Sequence, residues 1–210
     1  MLLSKPNSNV FSCKGMAYRK YNREGFCVEP MSAHKIENAA FEARKLFYHD
    51  GGQKYLNVMD LIEHKLPQAW ESFHLDVVCP EDLPGREAEF NPFNFCIRIS
   101  EPIYEAACND DGHCRFTVAH ELGHFFLHRN QIPAFGRPAK GGIIPAYKHS
   151  EWQADTFARN LLVPRNLASG MSVPEIQTVF EVSHEVACIV AGEQVKPTYI
   201  PHPTQLSLGI

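Results

Sequence analysis

The spacing of apolar and polar residues predicts a chain built mainly from helices. Apolar positions recur with helical periodicity in four segments, 32–48, 58–66, 112–129 and 150–163. Two shorter helices are predicted further along the chain, at 173–182 and 184–193. Serine stands at three of the predicted helix starts, at positions 32, 150 and 183, and is expected to act there as the N-cap residue.

The pattern changes to that of strands in the middle of the chain. Apolar residues alternate or cluster over 73–78, 87–90 and 94–99, and prolines punctuate this region. These segments predict a small antiparallel sheet beside the helix at 112–129. The expected fold class is therefore α+β, a mostly helical single domain with one small sheet.

The helix predicted at 112–129 carries the motif His120-Glu121-Leu122-Gly123-His124. Residues four apart on a helix are offset by about 40° and by about 6 Å along its axis, so both imidazoles can bind one metal ion. Glu121 lies roughly 100° further round from His120, which places it beside the metal as a candidate general base. Gly123 costs about 1 kcal/mol relative to Ala inside a helix, so we expect another backbone to approach the helix there.

A zinc site with two histidine ligands needs a third protein ligand, and Glu151 is the best downstream candidate. Glu151 would project from the first turn of the helix predicted at 150–163. Asp155 follows one turn later on the same face, where it can accept the free ring N–H of a ligand histidine. The alternative is that both carboxylates belong to a solvated helix face.

These two segments together resemble a known family, the ImmA/IrrE metallopeptidases. The first carries A-H-E-L-G-H at 119–124, and the second matches E-x-x-A-[ND]-x-F-A-x-x-L-L-x-P at 151–164. The resemblance covers roughly residues 32–192. The pair of motifs is far more specific than H-E-x-x-H alone, although Asp155 stands where many relatives have Asn.

The resemblance implies a zinc-dependent endopeptidase. It carries the metal ligands over to His120, His124 and Glu151, with Zn²⁺ as the cofactor, and the general base to Glu121. It also implies a substrate, a helix-turn-helix transcriptional repressor cleaved in a DNA-damage, mobile-element or phage-defence response. An activating single-stranded DNA is a further hypothesis about the trigger.

Length and composition agree with one domain and two appendages. A chain of 210 residues with 44% hydrophobic content can bury a single core. The predicted division is an N-terminal extension at 1–30, a metallopeptidase domain at 31–194 and a C-terminal tail at 195–210. A glycine- and proline-containing segment at 135–145 is expected to be a lid, a specificity loop or a plain connector.

Charge and cysteine usage limit the partners and the compartment. A net charge of −4 does not favour polyanion binding by the whole chain. Basic and tyrosine residues alternate over 14–23, a weak sign of nucleic-acid contact in a segment that is otherwise a loosely packed extension. The absence of a long apolar run argues against membrane insertion, and seven cysteines without C-x-x-C spacing indicate free thiols in the cytoplasm.

Cys108 is a candidate inhibitory switch. A thiolate that entered the open zinc position would displace the water and hold the enzyme latent. Cys108 lies in the more flexible approach to the metal helix and is better placed for this than Cys114. The alternative is an inert buried thiol.

Two other functions stay open at this point. The chain can be a metal-dependent hydrolase of a non-protein substrate, or a latent or non-catalytic binding module that keeps the zinc scaffold. Retention of Glu121 argues against the second. Tyr147, His128 and His149 are candidates for stabilising the oxyanion of a peptide substrate, and the sequence does not rank them.

Overall fold

The computed structural model describes residues 25–48, 52–131 and 144–192, and these contain nine α-helices and three strands. In chain order they are α1 (Ala33–Phe47), α2 (Val58–Asp60), α3 (Leu66–Ala69), β1 (His74–Val78), β2 (Ala88–Asn91), β3 (Cys96–Ser100), α4 (Glu101–Cys108), α5 (Gly112–His128), α6 (Ser150–Leu162), α7 (Arg165–Ala168), α8 (Val173–Phe180) and α9 (His184–Ala191). A π-helical segment, Leu61–Lys65, joins α2 to α3, and a 3-10 turn at Ala146–Lys148 precedes α6. The α+β, mostly helical fold class is confirmed.

Helix starts follow the predicted serine caps at two of three positions. The hydroxyl of Ser32 accepts the N–H of Lys35 at the start of α1, and Ser183 accepts the N–H of Val186 at the start of α9. The prediction that Ser150 caps α6 is wrong. Ser150 is the first residue of the helix and His149 is its N-cap, which leaves the Ser150 hydroxyl for other contacts.

The sheet is mixed, so the prediction of a wholly antiparallel sheet is wrong in this detail. Its strand order is β1-β3-β2. The strands β2 and β3 are joined by a short hairpin and pair antiparallel, whereas β1 pairs parallel with β3. The last strand lies between the other two, and β1 and β2 run in opposite directions on either side of it. The strand β2 remains at one edge, beside α5.

Helix α4 was not predicted from the sequence. It follows β3 directly, has Pro102 in its first turn and packs against α5. Cys108 is its last residue. The segment that leads to the metal helix is therefore helical up to the turn at 109–111, and not the flexible approach that the switch hypothesis assumed.

Helices α5 and α6 pack against each other at the centre of the molecule. Val118, Ala119 and Leu122 of α5 are fully buried in the core. The predicted close approach at Gly123 is confirmed, because a Cβ added there would lie 2.9 Å from both Cα and the carbonyl oxygen of Ala154 in α6. Glycine thus allows the two helices that carry the motifs to touch.

Several predictions lie outside the described residues. These are the basic segment at 14–23, most of the 135–145 segment and the C-terminal tail at 195–210. The described end of the predicted extension, residues 25–30, runs beside 147–150. No helix in the described ranges has the length and apolar character needed to cross a membrane.

Candidate metal centre

Three predicted ligand residues come together between α5 and α6. Donor atoms of His120, His124 and Glu151 all lie within 4.8 Å of one another. The two histidines project from α5 one turn apart, and Glu151 projects from the first turn of α6. Packing at Gly123 sets the distance between the helices, and so brings the carboxylate to the imidazoles.

The spacing of the donor atoms fits a tetrahedral metal ion. Nε2 of His120 lies 3.1 Å from Nε2 of His124 and 3.2 Å from Oε2 of Glu151. Nε2 of His124 lies 3.5 Å from Oε1 of Glu151. For bonds of about 2.0–2.1 Å, neighbouring ligand atoms of a tetrahedron are about 3.3 Å apart. The three distances lie close to this value. The two histidines contact different oxygens of the Glu151 carboxylate, and one cation can bind both rings and this carboxylate.

Asp155 fixes the proton of His120. Its Oδ1 lies 2.8 Å from Nδ1 of His120, so this ring nitrogen donates a hydrogen bond to the carboxylate. The lone pair of a neutral ring is then on Nε2, which faces His124 and Glu151. Asp155 thus stands where the sequence predicted it, behind a ligand histidine.

A chain of hydrogen bonds fixes the proton of His124 in the same way. The side-chain amide of Gln153 donates from Nε2 to two backbone carbonyls, those of Glu29 and Tyr147, each at 2.9 Å. A carbonyl can only accept, so Oε1 of Gln153 must face His128, whose Nε2 donates to it at 3.0 Å. Nδ1 of His128 is left to accept from Nδ1 of His124 at 3.1 Å. The lone pair of His124 is therefore on Nε2, towards His120.

The pKa values agree with these roles. Burial lowers the pKa of His128 to about 4, so its ring is neutral and accepts from His124 near pH 7. Burial also lowers the pKa of His120, but hydrogen bonds to Asp155 and Glu151 outweigh burial and raise it to about 10. Burial raises the pKa of Glu151, whereas its hydrogen bonds with both histidines hold it far below its ordinary value. The carboxylates that stabilise this proton would also attract a cation, and metal binding would release the proton.

Glu121 lies in the same cleft as the three ligand residues. Its side chain is largely buried, with 8% of the residue exposed. It lines a cleft of about 870 Å³ together with His120, His124 and Glu151. A carboxylate in this position can exchange a proton with a water held near the cluster.

A strand lines one side of the cleft, and helices line most of the rest of it. Residues 85–90 line one side, and 88–90 of these belong to the edge strand β2. On this side Glu87 accepts hydrogen bonds from His113 and Thr117 of α5, at 3.2 and 3.3 Å. Glu185 and Val186 of α9 line another part of the cleft. Helix α9 and its N-cap Ser183 thus contribute to the cleft wall.

Cys108 does not join the cluster, so the structure does not support the predicted inhibitory switch. Among the described residues, neither the group of metal-binding donors nor the cleft lining includes Cys108. Its thiol lies at the end of α4, near Tyr104 and Glu63. Burial and the nearby Glu63 carboxylate raise its pKa, which disfavours the thiolate that a switch requires.

The oxyanion candidates separate in the structure. His128 is 2% exposed and bonded to His124 and Gln153, which gives it a supporting position behind a ligand. Within the described residues the cleft lining includes neither Tyr147 nor His149. Gln153 was not predicted from the sequence, because residues two apart on a helix do not share a face. Phe26 was not predicted either, because its contact with Ser150 joins residues 124 apart along the chain.

Comparisons with known proteins identify the larger part of the chain. A family model for peptidase M78, described as the IrrE N-terminal-like domain, matches residues 78–192. Among curated proteins no match was found. Among solved structures the chain is similar to a Mycobacterium tuberculosis transcriptional regulator, with 14% sequence identity and a TM-score of 0.45, over 79% of this chain and 49% of that one. The chain therefore spans about half the length of that regulator.

Proposed function

Because the chain belongs to the M78 peptidase family of IrrE N-terminal-like domains, we propose that it is a zinc-dependent endopeptidase. The observation that carries the proposal is the convergence of His120, His124 and Glu151 in a cleft that Glu121 also lines. Two imidazoles and one carboxylate form a ligand set that catalytic zinc uses, with the fourth position left for water or substrate.

The residues of the site have different roles in peptide hydrolysis. A zinc ion bound there would supply Lewis acidity, which acidifies a water and polarises the scissile carbonyl. Glu121 accepts the proton of the attacking water and later gives it to the leaving amine. Asp155 and His128 hold the two ligand imidazoles with their Nε2 lone pairs towards each other.

The edge of β2 supports a peptide as the substrate. Within the described sheet β2 pairs on one side only, with β3, and its residues 88–90 line the cleft. An extended peptide can pair with such an edge through its backbone, which aligns the chain independently of its sequence. Phe93 lies at the rim of the cleft and is 80% exposed, where it can contact an apolar side chain of the substrate.

The substrate that we propose is a helix-turn-helix repressor, cleaved in the cytoplasm during a DNA-damage, mobile-element or phage-defence response. The support is the resemblance of the two motifs to the ImmA/IrrE metallopeptidases. Single-stranded DNA is the proposed activator, and the basic residues at 14–23 are the first place to test for its binding. Such binding should weaken as the salt concentration rises.

The test is a gel assay of the purified protein against the repressor encoded beside it, with and without single-stranded DNA. Cleavage should be abolished by a chelator and restored by added Zn²⁺. DNA dependence would show that the enzyme is gated. If the zinc-loaded protein leaves the repressor and other proteins intact but hydrolyses small esters or amides, a non-protein substrate is favoured. Zinc binding without turnover of either class would favour the regulatory binding module.

Replacing Asp155 should weaken metal binding selectively. Asp155→Ala removes the acceptor of the His120 Nδ1–H, and we expect zinc affinity to fall by about 10- to 100-fold. Asp155→Asn keeps a carbonyl oxygen as acceptor, so its zinc affinity should stay nearer to that of the wild type. Both values can be measured by competition with a chromophoric chelator. Equal affinities of Asp155→Ala and the wild type would show that this hydrogen bond does not support the metal.

A further inference from the structure

Residues 26–31, here called the N-terminal strap, run beside the segment that leads into α6. The N–H of Val28 donates to the carbonyl of Lys148, and the N–H of Met31 donates to that of Tyr147, both at 2.9 Å. Cys27 forms an antiparallel bridge with His149. The strap is therefore docked by backbone hydrogen bonds immediately before the ligand Glu151.

The first link from the strap to the metal centre passes through Ser150. Its N–H donates to the carbonyl of Phe26 and its hydroxyl accepts the N–H of Phe26, each at 3.1 Å. The same hydroxyl donates to Oε1 of Glu151 at 3.0 Å. Ser150 is fully buried. Docking of Phe26 thus sets the direction in which the hydroxyl holds the ligand carboxylate.

The second link passes through Gln153 and His128 to His124. Gln153 is fully buried, so its amide has little access to water as an alternative partner. If the amide turned over, its NH₂ group would donate to Nε2 of His128 and move the proton of that ring to Nδ1. The N–H at Nδ1 of His128 would then donate to Nδ1 of His124. The proton of His124 would lie on Nε2, where it would prevent that nitrogen from binding a cation. The carbonyls of Glu29 and Tyr147 prevent the turn, because a carbonyl cannot donate to the amide oxygen.

The ring of Phe26 covers this second link. Its centroid lies 6.0 Å from that of His128 and 6.4 Å from that of His124. An apolar ring at this distance keeps water from competing for the imidazole hydrogen bonds. The strap therefore acts on the histidine side of the cluster by covering it as well as by hydrogen bonding.

We propose that the N-terminal strap is part of the metal centre, and that Gln153 and Ser150 are positioning residues through which its docking determines metal affinity. The inference rests on the proposed function only in requiring that the cluster binds zinc. It assigns no contact between the strap and the metal. Its effect is to hold His124 in the tautomer that can bind a cation, and Glu151 in the orientation that faces it.

Two glutamines that contact the same strap residue provide a matched test. Gln153 donates to the carbonyl of Glu29 and leads on to His124. Gln131 accepts the N–H of Glu29 at 3.0 Å and donates to the carbonyl of Leu127, so its hydrogen bonds do not lead to a ligand. In the full chain, Gln153→Leu should weaken zinc binding by about 10-fold or more. Gln131→Leu leaves the backbone hydrogen bonds of Val28 and Met31 in place, so the strap should stay docked and zinc affinity should fall far less.

The measurement is the zinc dissociation constant by chelator competition, together with the melting temperature of the metal-free protein. The d–d absorption of the Co²⁺ form should also change in Gln153→Leu, because His124 is no longer held. A purely structural role would lower the melting temperature and leave the affinity of the folded fraction unchanged. That result, or equal affinity losses in the two variants, would overturn the proposal.

Ser150→Ala provides the test of the proposal if Gln153→Leu does not fold. It removes one hydroxyl without adding bulk, and should weaken zinc binding through the Glu151 side of the cluster. Unchanged affinity in this variant would overturn the proposal. Zinc is measured without substrate, so a lack of proteolysis leaves this test intact. Failure of the wild-type protein to bind zinc would instead overturn the proposed function itself, and the inference with it.

Discussion

Glu121→Gln is expected to lower kcat for protein cleavage by about 10²–10⁴-fold, with zinc content and stability unchanged. The side chain is largely buried in the cleft beside the ligand cluster. Glutamine has the same shape but cannot accept the proton of an attacking water. The ligands His120, His124 and Glu151 are untouched, so the metal should remain bound. The measurement is kcat together with the zinc-to-protein ratio of the same preparation.

A matched control separates loss of the base from loss of a charge. Glu105 is an exposed carboxylate on α4, away from the cleft. Glu105→Gln makes the same chemical change there and should leave kcat as it is. A Glu121→Gln variant that binds zinc normally and cleaves at more than a small fraction of the wild-type rate would exclude Glu121 as the general base.

The ligand cluster could be predicted from the sequence because each half of it is local. His120 and His124 share a helix face by periodicity alone, and Glu151 and Asp155 do so one turn apart on another helix. The sequence pattern does not predict that these two helix faces contact each other. Gly123 gave the one hint, since its cost inside a helix required a close neighbour, and the backbone of Ala154 is that neighbour.

The support behind the cluster could not be predicted in the same way. Gln153 bonds to Glu29 and Phe26 bonds to Ser150, and each pair is 124 residues apart along the chain. Such pairs are set by how the strap docks, which leaves no periodicity in the sequence. The hydroxyl of Ser150 illustrates the difficulty. By local rules it is a helix cap, whereas in the fold it joins the strap to Glu151.

The strand order and the position of Cys108 also could not be predicted from local sequence patterns. Strand segments were recognisable from their composition, but their order depends on which strand inserts between the others. Their directions are also not set by composition, and β1 pairs parallel with β3. Cys108 was placed near the metal by sequence proximity to α5, yet α4 holds it beside Tyr104 and Glu63. Nearness in sequence brought together the two histidines that share one helix face, but it did not bring Cys108 to them across a helix boundary.

Gly123→Ala should destabilise the protein although alanine is the better helix former. Helix propensity favours the variant by about 1 kcal/mol. Against this, the new Cβ would lie 2.9 Å from two backbone atoms of Ala154, and overpacking of this kind costs about 1–3 kcal/mol. The clash is with backbone, so no change of rotamer relieves it. We expect a net loss in the free energy of unfolding, measured by urea denaturation of the metal-free protein.

The same substitution should also weaken zinc binding, because relief of the clash requires α6 to move away from α5. Glu151 and Asp155 would move with α6, whereas His120 and His124 would stay on α5. Adding Ala154→Gly should not restore either property, since the atoms in the way are the Cα and carbonyl oxygen of residue 154 and not its methyl group. A Gly123→Ala variant with wild-type stability and zinc affinity would show that the interhelical distance does not set the ligand geometry.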